Sequence, residues 1–149
     1  MPASPAEPGP APPAGIGATA WLSALVRSPP ATALGPLQLA WLGDAVWELH
    51  QRLRHCREPG RSGALHGQVV AAVRAGAQAS ALERLDPVLR DGERDLVRRG
   101  RNRARRGPRQ GDAAAYGLAT GFETLLGWLF LHDPPRLVEL LDHLEEIDP

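Results

Sequence analysis

The stretch LQLAWLGDAVWELHQRL, residues 37–53, is predicted to form a helix that is apolar on nearly every side. Apolar residues recur in it at alternating steps of three and four, which is the spacing of a helix face that packs on a core: Leu39, Leu42, Val46, Leu49 and Leu53. Asp44 lies nearly opposite that face. Its neighbours at helical spacing are also apolar: Leu37, Ala40, Trp41 and Trp47. The helix therefore carries a carboxylate on a face that does not have the pattern of a solvated surface.

Residues 1–35 differ from the rest of the 149-residue chain. They are rich in Pro and Ala and lack apolar periodicity, so we predict a disordered, solvated tail. Residues 36–149 are long enough for one domain with a single core. They show no useful strand alternation, and the predicted fold is all-α. Long helices are expected at 37–56, 62–85, 112–132 and 134–147, with two short helical turns between 86 and 100 and a loop over 101–111.

Cysteine content and hydropathy indicate a cytoplasmic protein with no membrane partner. Cys56 is the single cysteine, which excludes an intrachain disulfide and fits a reducing compartment. His55 and His50 are near it, but their spacing is not that of a zinc site. The chain shows no secretory signal, and from the sequence no stretch is expected to approach the roughly 20 apolar residues of a membrane span.

The charge is unevenly distributed, although the formal net charge is zero. All 17 basic residues are Arg, and seven of them fall in RRGRNRARRGPR, residues 98–109, which contains no acidic residue. The final stretch of the chain is strongly acidic instead. A local polycation of this kind meets the requirement for binding nucleic-acid phosphates.

A second isolated carboxylate, Glu123, lies within the predicted helix 112–132. The main apolar face of that helix consists of Leu118, Phe122, Leu125 and Leu129. Glu123 lies well off that face, yet its surroundings are also apolar. A carboxylate buried without a partner costs several kcal/mol, so something must compensate both Asp44 and Glu123.

Four interpretations of this pair are open from the residues alone. Asp44 would be an N-cap if Gly43 marked a helix start. Either acid would pair with a buried Arg, or either face would be more solvated than its sequence indicates. The functional interpretation is that Asp44 and Glu123 converge on a hydrated Mg²⁺, which keeps several waters and takes few protein ligands. Glu48, one turn after Asp44, is then a supporting or surface residue.

A metal held by carboxylates beside an Arg-rich segment suits one class of reaction. Such a metal activates a water and neutralises the charge that develops on a phosphate, which is what phosphodiester hydrolysis requires. The Arg segment supplies affinity for the phosphate backbone. The combination of the two features, rather than either one, predicts a nuclease.

Three segments of the chain resemble the ribonuclease III family. LAWLGDAVWEL (39–49) is similar to the signature helix of its catalytic domains, and RRGRN (98–102) and YGLATGFETLLGWLFL (116–131) are similar to later segments. The resemblance covers about residues 35–148 in order. It is strongest to the Mini-ribonuclease III subfamily, which has the catalytic domain without a double-stranded-RNA-binding domain.

The resemblance implies a homodimeric helical bundle that cleaves double-stranded RNA with Mg²⁺ and leaves 5′-phosphate ends. Asp44 and Glu123 would be its catalytic metal ligands. The substrate would be the large-subunit (23S) ribosomal RNA precursor at its 5′ and 3′ ends, with a preribosomal particle or a ribosomal protein as a further partner. The implied dimer interface comprises Leu37, Ala40, Trp41 and Trp47. The residues expected to contact the RNA backbone are Arg98, Arg99, Arg101, Asn102, Arg103, Arg105 and Arg106.

Three positions depart from the wider family pattern. Ala40 and Thr120 stand where full-length ribonuclease III has acids, and the Mini subfamily shares both losses. Gly117 stands where the subfamily has a basic residue, which a neighbouring Arg would have to replace. Two other functions stay open: a catalytically silent ribonuclease III-like module that binds structured ribosomal RNA, and a helical dimerisation protein whose acids form internal ion pairs.

Overall fold

The computed structural model of the chain describes Leu22 and residues 33–57, 62–104 and 112–147. The chain divides into two units, Met1–Thr32 and Ala33–Pro149, and every helix described below belongs to the second. Most of the predicted tail, residues 1–35, lies outside the described residues. So do Arg105 and Arg106, two of the residues expected to contact RNA.

The described part of the second unit consists of six α-helices and contains no strand, which confirms the all-α prediction. A 3₁₀ turn at Asp86–Val88 precedes the fourth helix. The helices are α1 (Pro36–Cys56), α2 (Ser62–Ala72), α3 (Ala75–Leu85), α4 (Asp91–Arg103), α5 (Ala113–His132) and α6 (Pro134–Ile147).

Helix α5 is the centre of the bundle and packs against α1, α3, α4 and α6. It begins at Ala113 because the Asp112 carboxylate accepts hydrogen bonds from the first free backbone N–H groups, those of Ala114 and Ala115. By length and composition alone, α5 is the one helix in the described ranges that could cross a membrane. The sequence-based statement that no stretch approaches that length is therefore wrong for this helix. Its fully buried side chains form the middle of the core: Phe122, Leu125, Leu126 and Leu129.

The predicted helix 62–85 is in fact two helices, with a break at Val73 and Arg74. Arg74 has an extended backbone, with φ −65° and ψ 149°. Side chains bind two carbonyls at the break. The Trp47 indole donates to the carbonyl of Ala72 at 3.0 Å, and the Gln78 amide donates to that of Val73 at 3.1 Å. The break therefore leaves neither of these carbonyls unpaired.

Helix α4 is also longer than predicted. We expected it to end at Gly100, but it continues to Arg103. Gly100 is buried against α5, and a Cβ there would lie 2.2 Å from the Thr124 hydroxyl oxygen. The glycine thus allows two helices to approach closely and does not end α4. As a consequence, Arg101, Asn102 and Arg103 are helical and not part of a loop.

The buried face of α1 matches only in part the one that periodicity predicted, since Leu39 is buried and Val46 packs against the core. Leu49 and Leu53 are 48% and 54% exposed. Ala40 and Trp47, which are predicted from the sequence to lie at a dimer interface, are buried within the single chain, so that prediction is wrong for both. Periodicity could not decide between faces because α1 is apolar all round, and only contact with α5 selects one. The buried face consists of Leu39, Ala40, Gly43, Trp47 and Gln51.

Candidate active site

The backbones of α1 and α5 touch where they cross. A Cβ on Gly43 would lie 1.8 Å from the carbonyl oxygen of Glu123, and a Cβ on Gly127 would lie 2.0 Å from that of Leu39. Distances this short leave room only for glycine at both positions. Asp44 directly follows Gly43, so the crossing brings the Asp44 side chain to the Glu123 side chain.

The Asp44 and Glu123 carboxyls, which are 79 residues apart in the sequence, interact directly. The pKa of Glu123 is raised from 4.5 to about 7, first by burial and then by the negative charge of Asp44 and a hydrogen bond with Asp44. A hydrogen bond from the Gln78 amide acts in the opposite direction and lowers it. A partly buried pair of carboxyls therefore shares one site.

The structure argues against two of the other interpretations of these acids. Asp44 is not an N-cap, because α1 begins at Pro36 with Gly35 as its N-cap and Asp44 lies in the helix interior. Among the described residues, neither Asp44 nor Glu123 forms an ion pair with an Arg. Both side chains are half-buried, so neither face is fully solvated.

The donor set of this site fits a hydrated divalent cation. Two carboxylates that repel each other in a half-buried position gain most from a cation that binds both. In the ranges that the structure describes, no group of three or more His, Cys, Asp or Glu side chains is placed to hold a metal. The protein would thus supply two carboxylates and water the remaining ligands, which is the arrangement typical of Mg²⁺.

Gln78, which is not among the site residues predicted from the sequence, contacts this site from α3. Its side chain is only 1% exposed, and apart from Asp44 it is the residue named among the causes that shift the pKa of Glu123. The sequence feature that could have identified Gln78 is its position as a glutamine within the Ala-rich segment AGAQASA, residues 75–81. Glu48, in contrast, forms a surface ion pair with Arg52 at 2.6 Å, so its carboxylate is paired with an arginine of the same helix and not with Glu123.

The structure places five of the predicted RNA-contacting residues at the C-terminal half of α4. Arg98 and Arg99 both form ion pairs with Asp95. Arg101, Asn102 and Arg103 are exposed, and within the described ranges Arg101 and Arg103 take part in no ion pair. Arg101 and Asn102 also line a surface groove of about 400 Å³, whose other walls come from α3, from the turn before α4 and from Leu118 of α5. The last turn of α4 therefore presents free positive charge.

Arg101 also lies over Gly117, the position at which the resembling subfamily has a basic residue. A Cβ on Gly117 would lie 3.4 Å from Cγ of Arg101, which is ordinary van der Waals contact. The aliphatic part of Arg101 thus packs over Gly117 at the start of α5. An arginine from α4 occupies the surface that a side chain at 117 would cover.

Comparison with known proteins agrees with this geometry. A family model described as the ribonuclease III domain matches residues 37–134. The chain is 46% identical over 127 residues to Mini-ribonuclease 3 of Synechocystis sp., covering 84% of this chain and 89% of that protein. It is 53% identical over 108 residues to Mini-ribonuclease 3 of Gloeobacter violaceus, covering 72% and 80%.

A crystal structure of a Fusobacterium nucleatum protein has the same fold. It superimposes with a TM-score of 0.71 at 24% identity, over 82% of this chain and all of that one. The helical architecture, the family match and the identity to these relatives agree with one another. The chain belongs to the ribonuclease III family of endoribonucleases, within the Mini-ribonuclease 3 group.

Proposed function

We propose that this chain is a Mg²⁺-dependent endoribonuclease that cleaves double-stranded RNA, with Asp44 and Glu123 as its catalytic metal ligands. The observation that carries the proposal is the contact of these two carboxyls at the α1–α5 crossing, where the pKa of Glu123 rises to about 7. A protein that only bound RNA would gain nothing from two acids that repel phosphate. The family membership supports the same activity.

Each part of the site has a separate role in this proposal. Mg²⁺, when bound, would supply an activated water and neutralise charge on the scissile phosphate. Asp44 and Glu123 would hold the cation, and the close glycine contact brings together the two helices that carry them. Hydrolysis of this kind leaves a 5′-phosphate on one product.

The RNA surface in this proposal is the last turn of α4 and the segment that follows it. A-form RNA is recognised mainly by its shape, phosphates and 2′-hydroxyls, so exposed arginines without ion pairs suit it. Arg101, Asn102 and Arg103 fit this role most directly. Arg98 and Arg99 would exchange their shared partner Asp95 for phosphates, and Arg105 and Arg106 complete the predicted set.

We also propose a homodimer, with an interface revised by the fold. One face of α1 leaves large apolar side chains exposed, and Trp41 is the extreme case at 82%. Monomeric proteins rarely expose such a contiguous apolar row, and a twofold contact would bury it in both subunits. The proposed interface keeps Leu37 and Trp41 and replaces Ala40 and Trp47 with Leu49 and Leu53.

The substrate that we propose is the stem formed by the two ends of the 23S ribosomal RNA precursor, which is processed in the cytoplasm. This choice of substrate is based on the resemblance of the sequence to the Mini-ribonuclease III subfamily. Because the Arg surface offers shape recognition and no base-specific readout, the preribosomal particle or a ribosomal protein would direct the enzyme to its stem. Equal cleavage of naked and particle-bound precursor would argue against that partner.

Cleavage of a duplex that carries the precursor stem tests the activity. Wild type, Asp44→Asn, Glu123→Gln and the surface control Glu48→Gln are incubated with Mg²⁺ or with chelator. We expect Mg²⁺-dependent cleavage by wild type and Glu48→Gln alone. Cleavage that survives chelation or Asp44→Asn would contradict the metal mechanism. Binding without cleavage by wild type would instead identify a silent RNA-binding module.

A further inference from the structure

Gln78 is one of two glutamines buried in the described part of the chain, the other being Gln51. Nε2 of Gln78 donates a hydrogen bond to the carbonyl of Val73 at 3.1 Å, and the same side chain lies close enough to Glu123 to lower the pKa of that carboxyl as a hydrogen-bond donor. Its Oε1 is buried and has no hydrogen-bond partner among the described residues. Both known contacts of this amide therefore use the NH₂ group.

The carbonyl of Val73 determines which end of the Gln78 amide faces Glu123. A carbonyl oxygen only accepts hydrogen bonds, so the NH₂ end must meet it. Turning the amide over would place two acceptors against each other at Val73. Since an amide nitrogen has two hydrogens, the one not used at Val73 is available for the Glu123 carboxylate.

The break between α2 and α3 supplies this anchor. In an unbroken helix the carbonyl of Val73 would accept from a backbone N–H four residues later. In the described residues the backbone bonds of α3 begin with the N–H of Gln78, which donates to the carbonyl of Arg74 at 3.0 Å, and the carbonyl of Val73 accepts from the side chain of Gln78 and not from a backbone N–H. Helix α3 packs directly against α5, which carries Glu123. An anchored donor is thus delivered to the site from a third helix.

The bond to the carbonyl of Val73 accounts for one hydrogen of the Gln78 amide and leaves the second hydrogen and Oε1 unexplained. An unpaired buried acceptor such as Oε1 costs about 1–3 kcal/mol, and a methionine of similar volume would avoid that cost but would leave the carbonyl of Val73 without the amide donor. Gln51, which is buried to the same degree at 2% exposure, lies against the ring of His50 and shows no contact with Asp44 or Glu123. Of the two buried glutamines in the described residues, Gln78 is therefore the one that acts on the Glu123 carboxyl.

We propose that Gln78 is a positioning residue that holds the Glu123 carboxylate in the orientation that binds the divalent cation. This inference rests on the proposed function, since it requires Asp44 and Glu123 to bind the cation. Gln78 touches neither RNA nor the reacting phosphate and acts only through Glu123. Partners of this kind around metal ligands typically change metal affinity by about 10-fold to 100-fold when they are removed.

Metal binding without RNA tests the inference directly. Free Mn²⁺ is followed by its electron paramagnetic resonance signal as each protein is added, and thermal unfolding of the same samples is recorded. The proteins are wild type, Gln78→Met, Gln78→Ala, Asp44→Asn and the matched control Gln51→Met. We expect both Gln78 variants to bind Mn²⁺ roughly 10-fold more weakly than wild type, and Gln51→Met to bind it as wild type does.

Cleavage kinetics give the second readout. Gln78→Met should need more Mg²⁺ for half-maximal rate and recover most of its kcat at saturating Mg²⁺, with KM for the RNA duplex unchanged. A residue that only packs the core would instead lower the thermal midpoint and leave the Mg²⁺ dependence as in wild type. That result would overturn the inference.

The outcomes also separate this inference from the proposed function. If wild type binds Mn²⁺ through Asp44 and both Gln78 variants bind it equally well, the positioning role is wrong and the metal site stands. If wild type has no Asp44-dependent Mn²⁺ site, both proposals fail. Should Gln78→Ala lose its fold, the isosteric Gln78→Met decides the question, because it preserves the side-chain volume.

Discussion

Gly43 and Gly127 face each other across the contact between α1 and α5, and a Cβ on Gly43 would lie only 2.9 Å from the backbone nitrogen of Gly127. The two helices meet backbone to backbone at this point. Asp44 and Glu123 lie beside the contact, so the geometry of the carboxyl pair depends on two residues that have no side chain.

We predict that Gly43→Ala destabilises the fold and abolishes metal binding. The new methyl group would lie 1.8 Å from the carbonyl oxygen of Glu123, and backbone atoms cannot move aside as a side chain end can. Overpacking of this kind costs about 1–3 kcal/mol, measured as the free energy of unfolding in urea. The control is Gly67→Ala in α2, where a Cβ meets nothing within 4 Å. It should gain stability by about 0.5–1 kcal/mol, and an equal loss in both variants would contradict this account.

Two tryptophans of α1 should respond in opposite ways to substitution. Trp41 is 82% exposed, so Trp41→Arg should leave the monomer folded and reduce self-association in sedimentation experiments. Trp47 packs edge-on against Phe122 with ring centroids 5.0 Å apart and is 4% exposed. Trp47→Ala should therefore cost about 3–5 kcal/mol of folding free energy. A Trp41→Arg protein that still dimerises would exclude this face of α1 from the interface.

The stability of the metal-free protein should fall as the pH rises from about 4.5 to about 7. The pKa of Glu123 is about 7 in the folded state and near its ordinary 4.5 in the unfolded chain. The folded state consequently binds more protons in this window and loses that advantage as Glu123 ionises. Mg²⁺ should restore stability at the alkaline end, because it stabilises the ionised carboxylate.

Urea unfolding at pH 5 and pH 8 in chelator measures this effect. Burial lowers the pKa of His50, which gives the opposite slope below pH 6.5, so the comparison is made against Glu123→Gln. The difference between wild type and that variant isolates the contribution of Glu123. An identical pH dependence in the two proteins would show that Glu123 titrates normally.

Neutralising the arginines at the end of α4 should weaken RNA binding through electrostatics. Arg101→Gln with Arg103→Gln removes two charges that have no ion-pair partner among the described residues. The slope of log affinity against log salt should become shallower by about 1–2 for two lost phosphate contacts. The control is Arg57→Gln, an exposed arginine that pairs with Glu145. A salt slope unchanged in the double variant would remove this turn from the RNA surface.

Much of the fold could be predicted from the sequence because its determinants are local. Three helices begin at or next to residues whose effect reaches only one helical turn: Pro36, the capping carboxylate Asp112 and Pro134. Asp44 and Glu123 were recognisable as candidates because a carboxylate in an apolar segment is anomalous without any knowledge of its neighbours. The family resemblance followed from the same local segments.

Only the tertiary structure decided which surfaces of these helices meet. In the structure, the Ala40–Trp47 face of α1 packs in the core, and α2 ends at Ala72. Gly100 lies in a close contact with α5 and does not end α4. The tertiary structure also brings Gln78 to Glu123. Each of these results depends on a partner far away in the chain. A helix that is apolar on every side carries no local signal of its orientation, and the free energy of close packing against α5 supplies that signal.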